Sequence, residues 1–441
     1  MNSSNPNTVA STASTASKAS KALIITYYWP PSGGAGVQRW LKFSKYLPEF
    51  GWEPIILTVD PEYAAYPVTD NSLSSELSAN TRVYKTPATD YFSIYKKDKS
   101  KIPTAGFANS VNNTLKGKFL RFIRGNFFIP DPRKGWNKYA FKKACEIIIS
   151  ENIKHVITTS PPHSTQLIGL KLKKRFPGIK WIADLRDPWT DIYYYKQFYP
   201  TIISKQIDYS YEKSVLQNAD RIITVGDSLK KSFSLKFKGI ENKTDVISNG
   251  YDDSDFKDIV PVNPDRFKIT YVGTLSDIYP VEGIVNALKK YKSEGNDFLL
   301  RFVGTVPGKS KNIILSEIAN SSLEFIPYIS HNEAVGYMMS SSVLLLIIPS
   351  HSSNKSIITG KLFEYLASGK PILCLGPEDG DAARIIEKCK SGITCGYYET
   401  EKISEFLKNI NSYFGHSDKS AVNEFSRLNL TGKIVDSLNK I

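Results

Sequence analysis

The chain has 441 residues, more than one ordinary hydrophobic core organises, so at least two domains are expected. Hydrophobic residues make up 41% and charged residues 23%, as in a typical globular protein, whereas the formal net charge of +14 favours anionic partners such as nucleotides, nucleic acid or an acidic membrane surface. The apolar runs are too short to span a bilayer and the 4 cysteines lack the paired spacing of a zinc site, so free thiols and a cytoplasmic location are expected.

The first predicted elements are a strand at 22–26, a glycine loop at 33–36 and a helix with apolar periodicity at 37–47. In parallel α/β sheets, such a loop brings backbone amides to a ligand at the carboxyl end of the strand. The loop has neither the spacing of a dinucleotide-binding GxGxxG motif nor that of a P-loop. It therefore predicts a ligand-facing turn but no particular nucleotide motif.

Residues 112–129 combine aromatic and aliphatic side chains with four cations and no carboxylate. The cations are Lys116, Lys118, Arg121 and Arg124. This composition is typical of a segment that lies on an anionic membrane, and it would place the protein at the inner face of the plasma membrane. The alternative is an amphipathic helix that packs against its own domain and leaves its cations in solvent.

Charged side chains follow two predicted strands, at 155–159 and 180–183. They are His163 after the first strand, and Asp184, Arg186 and Asp187 after the second. Because open α/β sheets bind ligands at the carboxyl ends of their strands, the second group is interpreted as a site. The alternatives are a structural salt-bridge cluster at this strand end and a structural role for the single histidine.

The alternation of strands and helices is interrupted near two prolines and then restarts. Two such runs predict an α/β protein with two doubly wound, Rossmann-like domains that face each other across a cleft. The predicted divisions are a disordered segment at 1–20, an N-terminal domain at 21–256, a linker at 257–265, a C-terminal domain at 266–425 and a C-terminal segment at 426–441. This last segment is expected to contain a helix capped by Thr431 that packs back on the N-terminal domain.

The sequence GKLFEYLASGKPIL, from residue 360, predicts a helix that ends at Gly369 and is followed by a buried strand. Helical spacing predicts two faces, a core face with Phe363, Leu366 and Ala367 and an opposite face with Lys361, Glu364, Tyr365 and Ser368. A cation and a carboxylate one turn apart at a helix N-terminus suit a phosphate group and a sugar diol. The alternative is an ordinary surface ion pair.

Seven segments occur in a fixed order from residue 21 onward: PPSGGAGVQR, FIPDPRKGW, SPPHS, DLRDPW, SNGYD, YVGTL and GKLFEYLASGKPIL. With this ordered set, the chain resembles glycosyltransferase family 4, which has the GT-B fold. The resemblance implies a retaining transferase in surface glycan biosynthesis, with a UDP- or GDP-linked sugar as donor, no separate cofactor, and a lipid-linked or glycan acceptor bound by the N-terminal domain. No DxD metal signature stands at a predicted strand end, which favours a metal-independent reaction. A nucleic acid partner is not expected.

The resemblance further implies roles for individual residues. Glu364 would bind the nucleotide ribose, while Lys361 and the amides near Leu362 would face the diphosphate. The other implied donor-binding residues are Gly34, Gly273, Thr274, Tyr328 and Ile329. The implied catalytic residues are Asp184, Arg186 and Asp187, at the strand end where the family often places a histidine, together with His163.

The chain departs from the family pattern at three positions. Ser356 stands where the family has the first of two glutamates, Thr274 where it has an arginine, and Glu282 where it has a lysine. Two cations that commonly bind the diphosphate are therefore missing from their usual places. Lys355, Lys361 or a basic residue of the N-terminal domain is expected to replace them.

Two other functions fit the same sequence. A nucleotide-sugar epimerase or hydrolase would share the fold and the donor site but would act without an acceptor, so an assay with the donor alone separates it from a transferase. A basic, non-enzymatic adaptor for membranes or RNA would bind no nucleotide sugar. The sequence contains no RNA-recognition motif, which disfavours the RNA version of this alternative.

Overall fold

The structure, a computed structural model, describes residues 19–78, 81–91, 114–257, 259 and 265–441. These residues form a seven-stranded and a six-stranded sheet in which the paired strands run parallel. Each sheet has a hydrophobic core on both faces, because helices cover both sides. The predicted α/β fold with two doubly wound domains is confirmed.

The strands of the first sheet are β1 (Ser20–Ile25), β2 (Trp52–Val59), β3 (Arg82–Thr86), β4 (His155–Ser160), β5 (Lys180–Leu185), β6 (Arg221–Thr224) and β7 (Thr244–Val246). Those of the second sheet are β8 (Lys268–Val272), β9 (Leu299–Val303), β10 (Leu323–Ile326), β11 (Val343–Ile347), β12 (Ile372–Leu375) and β13 (Gly392–Cys395). The strand orders are β3-β2-β1-β4-β5-β6-β7 and β10-β9-β8-β11-β12-β13. The order reverses beside β1 and beside β8, and such reversals form a ligand-binding crevice at the carboxyl ends of the strands.

The helices of the N-terminal domain are α1 (Ala35–Tyr46), α2 (Leu115–Phe127), α3 (Asn137–Glu151), α4 (Gln166–Arg175), α5 (Ile202–Asn218) and α6 (Asp227–Lys236). The helices of the C-terminal domain and the C-terminal segment are α7 (Glu282–Ser293), α8 (Gly308–Glu317), α9 (His331–Met339), α10 (Gly360–Ser368), α11 (Asp381–Lys388), α12 (Thr400–Lys408), α13 (Lys419–Asn423) and α14 (Arg427–Asn439). Helices α1 to α11 lie between strands of the two sheets, as the alternating sequence pattern predicts, and α12 to α14 follow β13.

Two strands were not predicted, β3 and β13, and both are sheet edges. Among the described strands, β3 pairs only with β2, and β13 pairs only with β12. An edge strand needs less apolar surface than a central one, and most residues of β3 are only partly buried. The continuous apolar run that reveals a central parallel strand is therefore absent from both segments.

The chain crosses between the domains after β7 and returns before α14. The two crossings run side by side: the Tyr251 N–H donates to the Phe425 carbonyl (3.1 Å), and the Arg427 N–H donates to the Tyr251 carbonyl (2.7 Å). After the return, α14 packs against α1, and its side chains Leu430 and Ile434 belong to the core of the N-terminal domain. The last helix of the chain thus holds the two domains together.

The start of α14 corrects the predicted cap. Ser426 is the N-cap residue, and its hydroxyl oxygen accepts a hydrogen bond from the Asn429 N–H (3.3 Å). Thr431 lies inside the helix, where its hydroxyl donates to the Arg427 carbonyl (2.7 Å). Both residues have side chains that suit a cap, but only Ser426 precedes the first helical turn.

Some predictions fall largely outside the described residues. These are the disordered segment at 1–20, of which the structure describes Ser20 as the first residue of β1, and most of the linker at 257–265. Every cysteine is a free thiol, as predicted. None of the described helices combines the length and hydrophobicity needed to cross a bilayer.

Candidate active site

A cavity of about 540 Å³ lies between the two domains, at the carboxyl ends of their strands. Its volume falls in the range of small-molecule sites. Nine of the predicted site residues line it: Gly34, Arg186, Asp187, Gly273, Thr274, Tyr328, Ile329, Lys361 and Glu364. The structure therefore brings most of the predicted site together, although these residues are spread over both domains.

The N-terminus of α10 opens into this cavity. Thr359, Gly360 and Lys361 all line it, and Thr359 occupies the N-cap position. The hydroxyl oxygen of Thr359 is buried and has no hydrogen-bond partner among the described residues. Because a helix N-terminus presents N–H groups and the positive end of the macrodipole, this end of the cavity suits an anion.

Leu362 is not part of the cavity. Its side chain is fully buried in the core of the C-terminal domain, and its N–H donates to the Thr359 carbonyl (3.2 Å). The amide that was predicted to face a diphosphate is therefore used by the turn that starts α10. Gly360 and Lys361 line the cavity at this end of the helix instead, in the position to face an anion.

Lys361 is held against an aromatic ring at the wall of the cavity. Its Nζ donates a hydrogen bond to the Tyr271 hydroxyl oxygen (2.7 Å) and lies 4.2 Å from the centre of that ring. Burial lowers the pKa of Lys361 to about 7, and the nearby Glu364 carboxylate opposes that shift. An anion entering the cavity would favour the charged ammonium, so Lys361 is placed to bind one.

Two glycines keep the space beside Lys361 open. Gly273 follows β8 with φ +114°, and a Cβ at this position would lie 2.9 Å from the Lys361 Cε. Gly304 follows β9 with φ +120°, and a Cβ there would lie 2.5 Å from the Gly273 carbonyl oxygen. Both the backbone conformation and the close approach require glycine, which explains the glycine of the YVGTL segment.

Glu364 lies one turn into α10 and pairs with a histidine. Its Oε1 is 3.1 Å from the Nε2 of His331, and the two side chains are about one-fifth exposed, 19% and 20%. Burial raises the pKa of Glu364, and His331 opposes this shift. A carboxylate at the cavity wall accepts hydrogen bonds but donates none when ionised, which suits a pair of ligand hydroxyl groups.

His331 is a site residue that the sequence reasoning missed. It is the first residue of α9 and lines the cavity. Ser330 and Glu333 form a capping box around it, in which the Ser330 hydroxyl accepts from the Glu333 N–H and the Glu333 carboxylate accepts from the Ser330 N–H. The S-x-x-E spacing after β10 was the signal that would have placed a helix N-terminus, and with it His331, at this edge.

Arg186 and Asp187 reach the cavity from the N-terminal domain. The Arg186 guanidinium donates from Nε to the Ser160 carbonyl (2.9 Å) and from Nη1 to the Gly36 carbonyl (3.0 Å), so it links the glycine loop to the end of β4. Burial raises the pKa of Asp187, and the Arg186 charge counteracts this. These are the two predicted catalytic residues that face the cavity.

Asp184 lies elsewhere, in the interior of the N-terminal domain. Its carboxylate accepts two hydrogen bonds from the Arg39 guanidinium, at 2.9 and 3.1 Å. It also accepts one from the Trp40 indole N–H (2.8 Å) and one from the Thr159 hydroxyl (2.8 Å). Both Asp184 and Arg39 are fully buried. The structural salt-bridge alternative therefore describes Asp184, and the catalytic interpretation does not.

His163 also lies outside the main cavity. Its ring stacks on Trp189, with the ring centres 4.8 Å apart and the planes at 12°. Burial lowers the pKa of His163 to about 4, so the imidazole is neutral at pH 7. It lines a smaller pocket that borders α2 and shares Pro161 with the main cavity. The prediction that His163 belongs to the reaction centre is not supported by this position.

Two residues assigned to the polar face of α10 belong to the core. Tyr365 is fully buried, and its hydroxyl oxygen accepts a hydrogen bond from the Val272 N–H (2.9 Å). Ser368 is buried as well, with its hydroxyl donating to the Tyr365 carbonyl (2.7 Å). Because α10 packs against α9 as well as against the sheet, its buried face is wider than one sheet contact requires.

The departures from the family pattern can also be located. Ser356 and Thr274 both line the cavity. Lys355 does not line it, and its exposed ammonium pairs with Asp379. Among the cations considered as replacements at the sequence level, Lys361 is the one that lines the cavity, and Arg186 adds a guanidinium from the N-terminal domain.

The sequence matches no protein-family model and no curated protein, but many solved structures are similar in fold. Sucrose-phosphate synthase from Thermosynechococcus elongatus is 13% identical, with a TM-score of 0.60 over 96% of this chain and 98% of that one. A glycosyltransferase from Rickettsia africae is 16% identical, with a TM-score of 0.58 over 96% and 98%. The chain has the GT-B fold. The predicted fold class is therefore confirmed.

The GT-B fold does not by itself select the reaction. A putative UDP-N-acetylglucosamine 2-epimerase from Listeria monocytogenes is also similar, at 10% identity and a TM-score of 0.54 over 95% of each chain. At such identities, similarity establishes the fold alone, and one fold hosts several activities. The reaction depends on the residues that line the cavity.

Proposed function

We propose that the protein is a glycosyltransferase that binds a nucleotide-diphosphate sugar in the cavity between its domains. The observation that carries the proposal is the meeting of the α10 N-terminus, Lys361 and Glu364 at one wall of the cavity. The helix end and the ammonium suit a diphosphate, and the carboxylate suits the hydroxyls of a ribose. Fold neighbours titled as a sucrose-phosphate synthase and as a glycosyltransferase support this choice.

Glycosyl transfer requires that the departing diphosphate be stabilised as negative charge develops on it. In the proposed complex, the Lys361 ammonium and the amides at the start of α10 supply that stabilisation, and they are already in place before the donor binds. This arrangement replaces the two cations missing from the family pattern and supports the proposal of a metal-independent enzyme of glycosyltransferase family 4. A further structure of similar fold is titled as a co-structure of S. aureus MnaA with UDP, at 11% identity and a TM-score of 0.50 over 95% of this chain and 96% of that one. It supports UDP as one of the candidate donor nucleotides.

Arg186 and Asp187 face the same cavity from the opposite domain. In the proposed reaction they position the acceptor hydroxyl, and closure of the cleft excludes water so that the acceptor is favoured over hydrolysis. The leaving diphosphate itself accepts the acceptor proton on the face from which it departs. This sequence of events retains the anomeric configuration of the donor sugar.

The retaining mechanism gives a direct prediction. Proton NMR of freshly formed product is expected to show the anomeric configuration of the donor, with activity unchanged in excess EDTA because the cations named above belong to the protein. Product of inverted configuration would contradict the mechanism. So would activity that EDTA abolishes and magnesium or manganese restores.

A second prediction concerns pH. Because the pKa of Lys361 is about 7 without ligand, the ammonium loses its proton as pH rises above 7, whereas a bound diphosphate retains it. The affinity for a nucleoside diphosphate is therefore expected to fall between pH 7.5 and 9.5, by up to about tenfold per unit, with proton uptake on binding. Calorimetry in buffers of different ionisation enthalpy measures both effects. Lys361→Met should bind the nucleoside diphosphate weakly, and its affinity should not change with pH in this range. If the affinity of this variant fell with pH as steeply as that of the wild type, Lys361 would not be the group that binds the diphosphate.

The acceptor is proposed to be a lipid-linked or other surface glycan, reached at the inner face of the plasma membrane. The observation behind this is α2, which has no carboxylate and no buried residue, and whose Lys116 and Lys118 are exposed. A basic helix that is not buried in its own domain suits contact with anionic lipid. The contact would bring the N-terminal domain to a membrane-bound acceptor.

An epimerase or hydrolase remains the second candidate, because the similar fold from Listeria monocytogenes is titled as a putative epimerase. Such an enzyme would convert or hydrolyse the nucleotide sugar with no acceptor present. Incubation with the donor alone therefore decides between the two. The transferase proposal expects slow or no donor turnover until an acceptor is added.

A further inference from the structure

The first turn of α5 lies directly beside α2. The side-chain carbonyl oxygen of Asn126 accepts a hydrogen bond from the Thr201 N–H (2.8 Å), and its amide group donates to the Tyr199 carbonyl (3.1 Å). At Gly125, an added Cβ would lie 2.4 Å from the Phe198 carbonyl oxygen, so the two segments are in close contact. They therefore form one continuous surface.

Large apolar side chains on this surface point into solvent. We define the α2–α5 surface by Leu115, Phe119, Phe122, Phe127, Tyr199, Ile202 and Ile203. Leu115 is 84% exposed, Ile202 75% and Ile203 69%. Single exposed apolar residues are common, but a cluster of seven on two adjoining segments marks an interaction surface.

The charges on the same surface indicate what covers it. The exposed ammonium groups of Lys116 and Lys118 lie on α2, and Lys205 is exposed in the first turn of α5. Neither α2 nor residues 199–207 contains a carboxylate. On these two segments the exposed apolar side chains occur together with cations and without a carboxylate. This combination complements a bilayer with anionic headgroups, where the rings and aliphatic chains enter the acyl boundary.

We propose that the α2–α5 surface inserts into anionic lipid, with Ile202 and Ile203 of α5 contributing as directly as the side chains of α2. This proposal rests on the membrane contact of α2 in the proposed function and adds α5 as a second inserting segment. Behind this surface, the pocket lined by Arg124 and Trp189 shares Pro161 with the main cavity. Insertion would thus place the membrane on the side of the N-terminal domain where this smaller pocket lies.

The test compares an exposed isoleucine pair on this surface with a single isoleucine of similar exposure at a different position. Ile202→Ser with Ile203→Ser should reduce binding to vesicles of phosphatidylglycerol and phosphatidylcholine by at least about tenfold in a sedimentation assay. Ile149→Ser is the matched control: it is 71% exposed on α3, near Glu151, which pairs with Lys21 at the opposite end of the sheet. The control should bind vesicles as the wild type does.

A second variant tests how much the cations of the α2–α5 surface contribute to vesicle binding. Lys116→Gln with Lys118→Gln should weaken binding to the anionic vesicles by roughly fivefold per charge at low salt and leave binding to pure phosphatidylcholine vesicles unchanged. An equal loss on both vesicle types would contradict the charge complementarity on which the proposal rests.

Three further results would overturn the proposal. The first is that the wild type does not bind anionic vesicles. The second is that the isoleucine double variant binds these vesicles as well as the control variant does. The third is that the wild type is a dimer and the double variant a monomer, which would assign the surface to self-association. Affinity for a nucleoside diphosphate, measured on the same variants, should remain at the wild-type value. Retained nucleotide affinity with no vesicle binding would reject the α2–α5 proposal and leave the proposed donor site intact.

Discussion

Replacing Glu364 with alanine is expected to weaken the binding of the cognate nucleoside diphosphate by about 2–3 kcal/mol, a factor of roughly 30 to 150, with the fold unchanged. The carboxylate lies at the cavity wall and in the proposed complex accepts hydrogen bonds from two ribose hydroxyls. Its loss removes charge-assisted bonds to the ligand. In the protein itself, the hydrogen bond lost is the one to His331, at a partly exposed position.

Titration calorimetry with UDP and GDP measures this effect, and a matched variant separates it from a general loss of charge. Glu405→Ala removes an exposed carboxylate from α12 of the same domain, outside the cavity, and should leave the affinity unchanged. If Glu364→Ala binds as tightly as Glu405→Ala, Glu364 does not contact the nucleotide. Equal melting temperatures for the two variants would show that the difference in affinity does not arise from unfolding.

Asp184→Ala is expected to lower the free energy of unfolding by about 3–5 kcal/mol, because it leaves the buried Arg39 guanidinium without its carboxylate. The Trp40 indole N–H and the Thr159 hydroxyl lose the same acceptor. Urea unfolding followed by tryptophan fluorescence measures the loss. The expected change is large for a single substitution and would be visible in the first unfolding transition.

The control for Asp184→Ala is a variant that breaks a solvent-exposed ion pair. Glu317→Ala breaks the pair between Lys289 and Glu317, whose side chains are 51% and 41% exposed, and should cost less than about 1 kcal/mol. A loss in Asp184→Ala no larger than in this control would contradict the structural role. Intact stability combined with abolished turnover would restore the catalytic interpretation.

The contrast between Asp184 and Asp187 shows where sequence reasoning reached its limit. The predicted strand ended at residue 183, but β5 continues to Leu185. Asp184 therefore lies within the strand and points into the domain, whereas Arg186 and Asp187 follow the strand and face the cavity. Arg39, the partner of Asp184, is 145 residues away in the sequence, so no local sequence pattern predicts the pair.

For α10, in contrast, the sequence predicted most of the structure correctly. Its N-terminus, its end at Gly369 in the left-handed conformation, and the strand that follows are all local signals, and the structure has each of them. Lys361 and Glu364 are three residues apart and therefore lie on the same side of the helix, as helical spacing predicts, and both line the cavity. Tyr365 was misplaced because its burial depends on contacts with β8 and β11, which sequence spacing does not encode.

The central claim, that the cavity between the domains binds a nucleotide-diphosphate sugar, is tested most directly by thermal unfolding of the wild type and of Glu364→Ala with a panel of UDP- and GDP-sugars. A cognate donor at 100 times its dissociation constant adds about 2.7 kcal/mol to the stability of the wild type. The account predicts a rise in melting temperature for at least one donor, with a much smaller rise in Glu364→Ala at the same concentration. No rise with any donor, or equal rises in the two proteins, would contradict it.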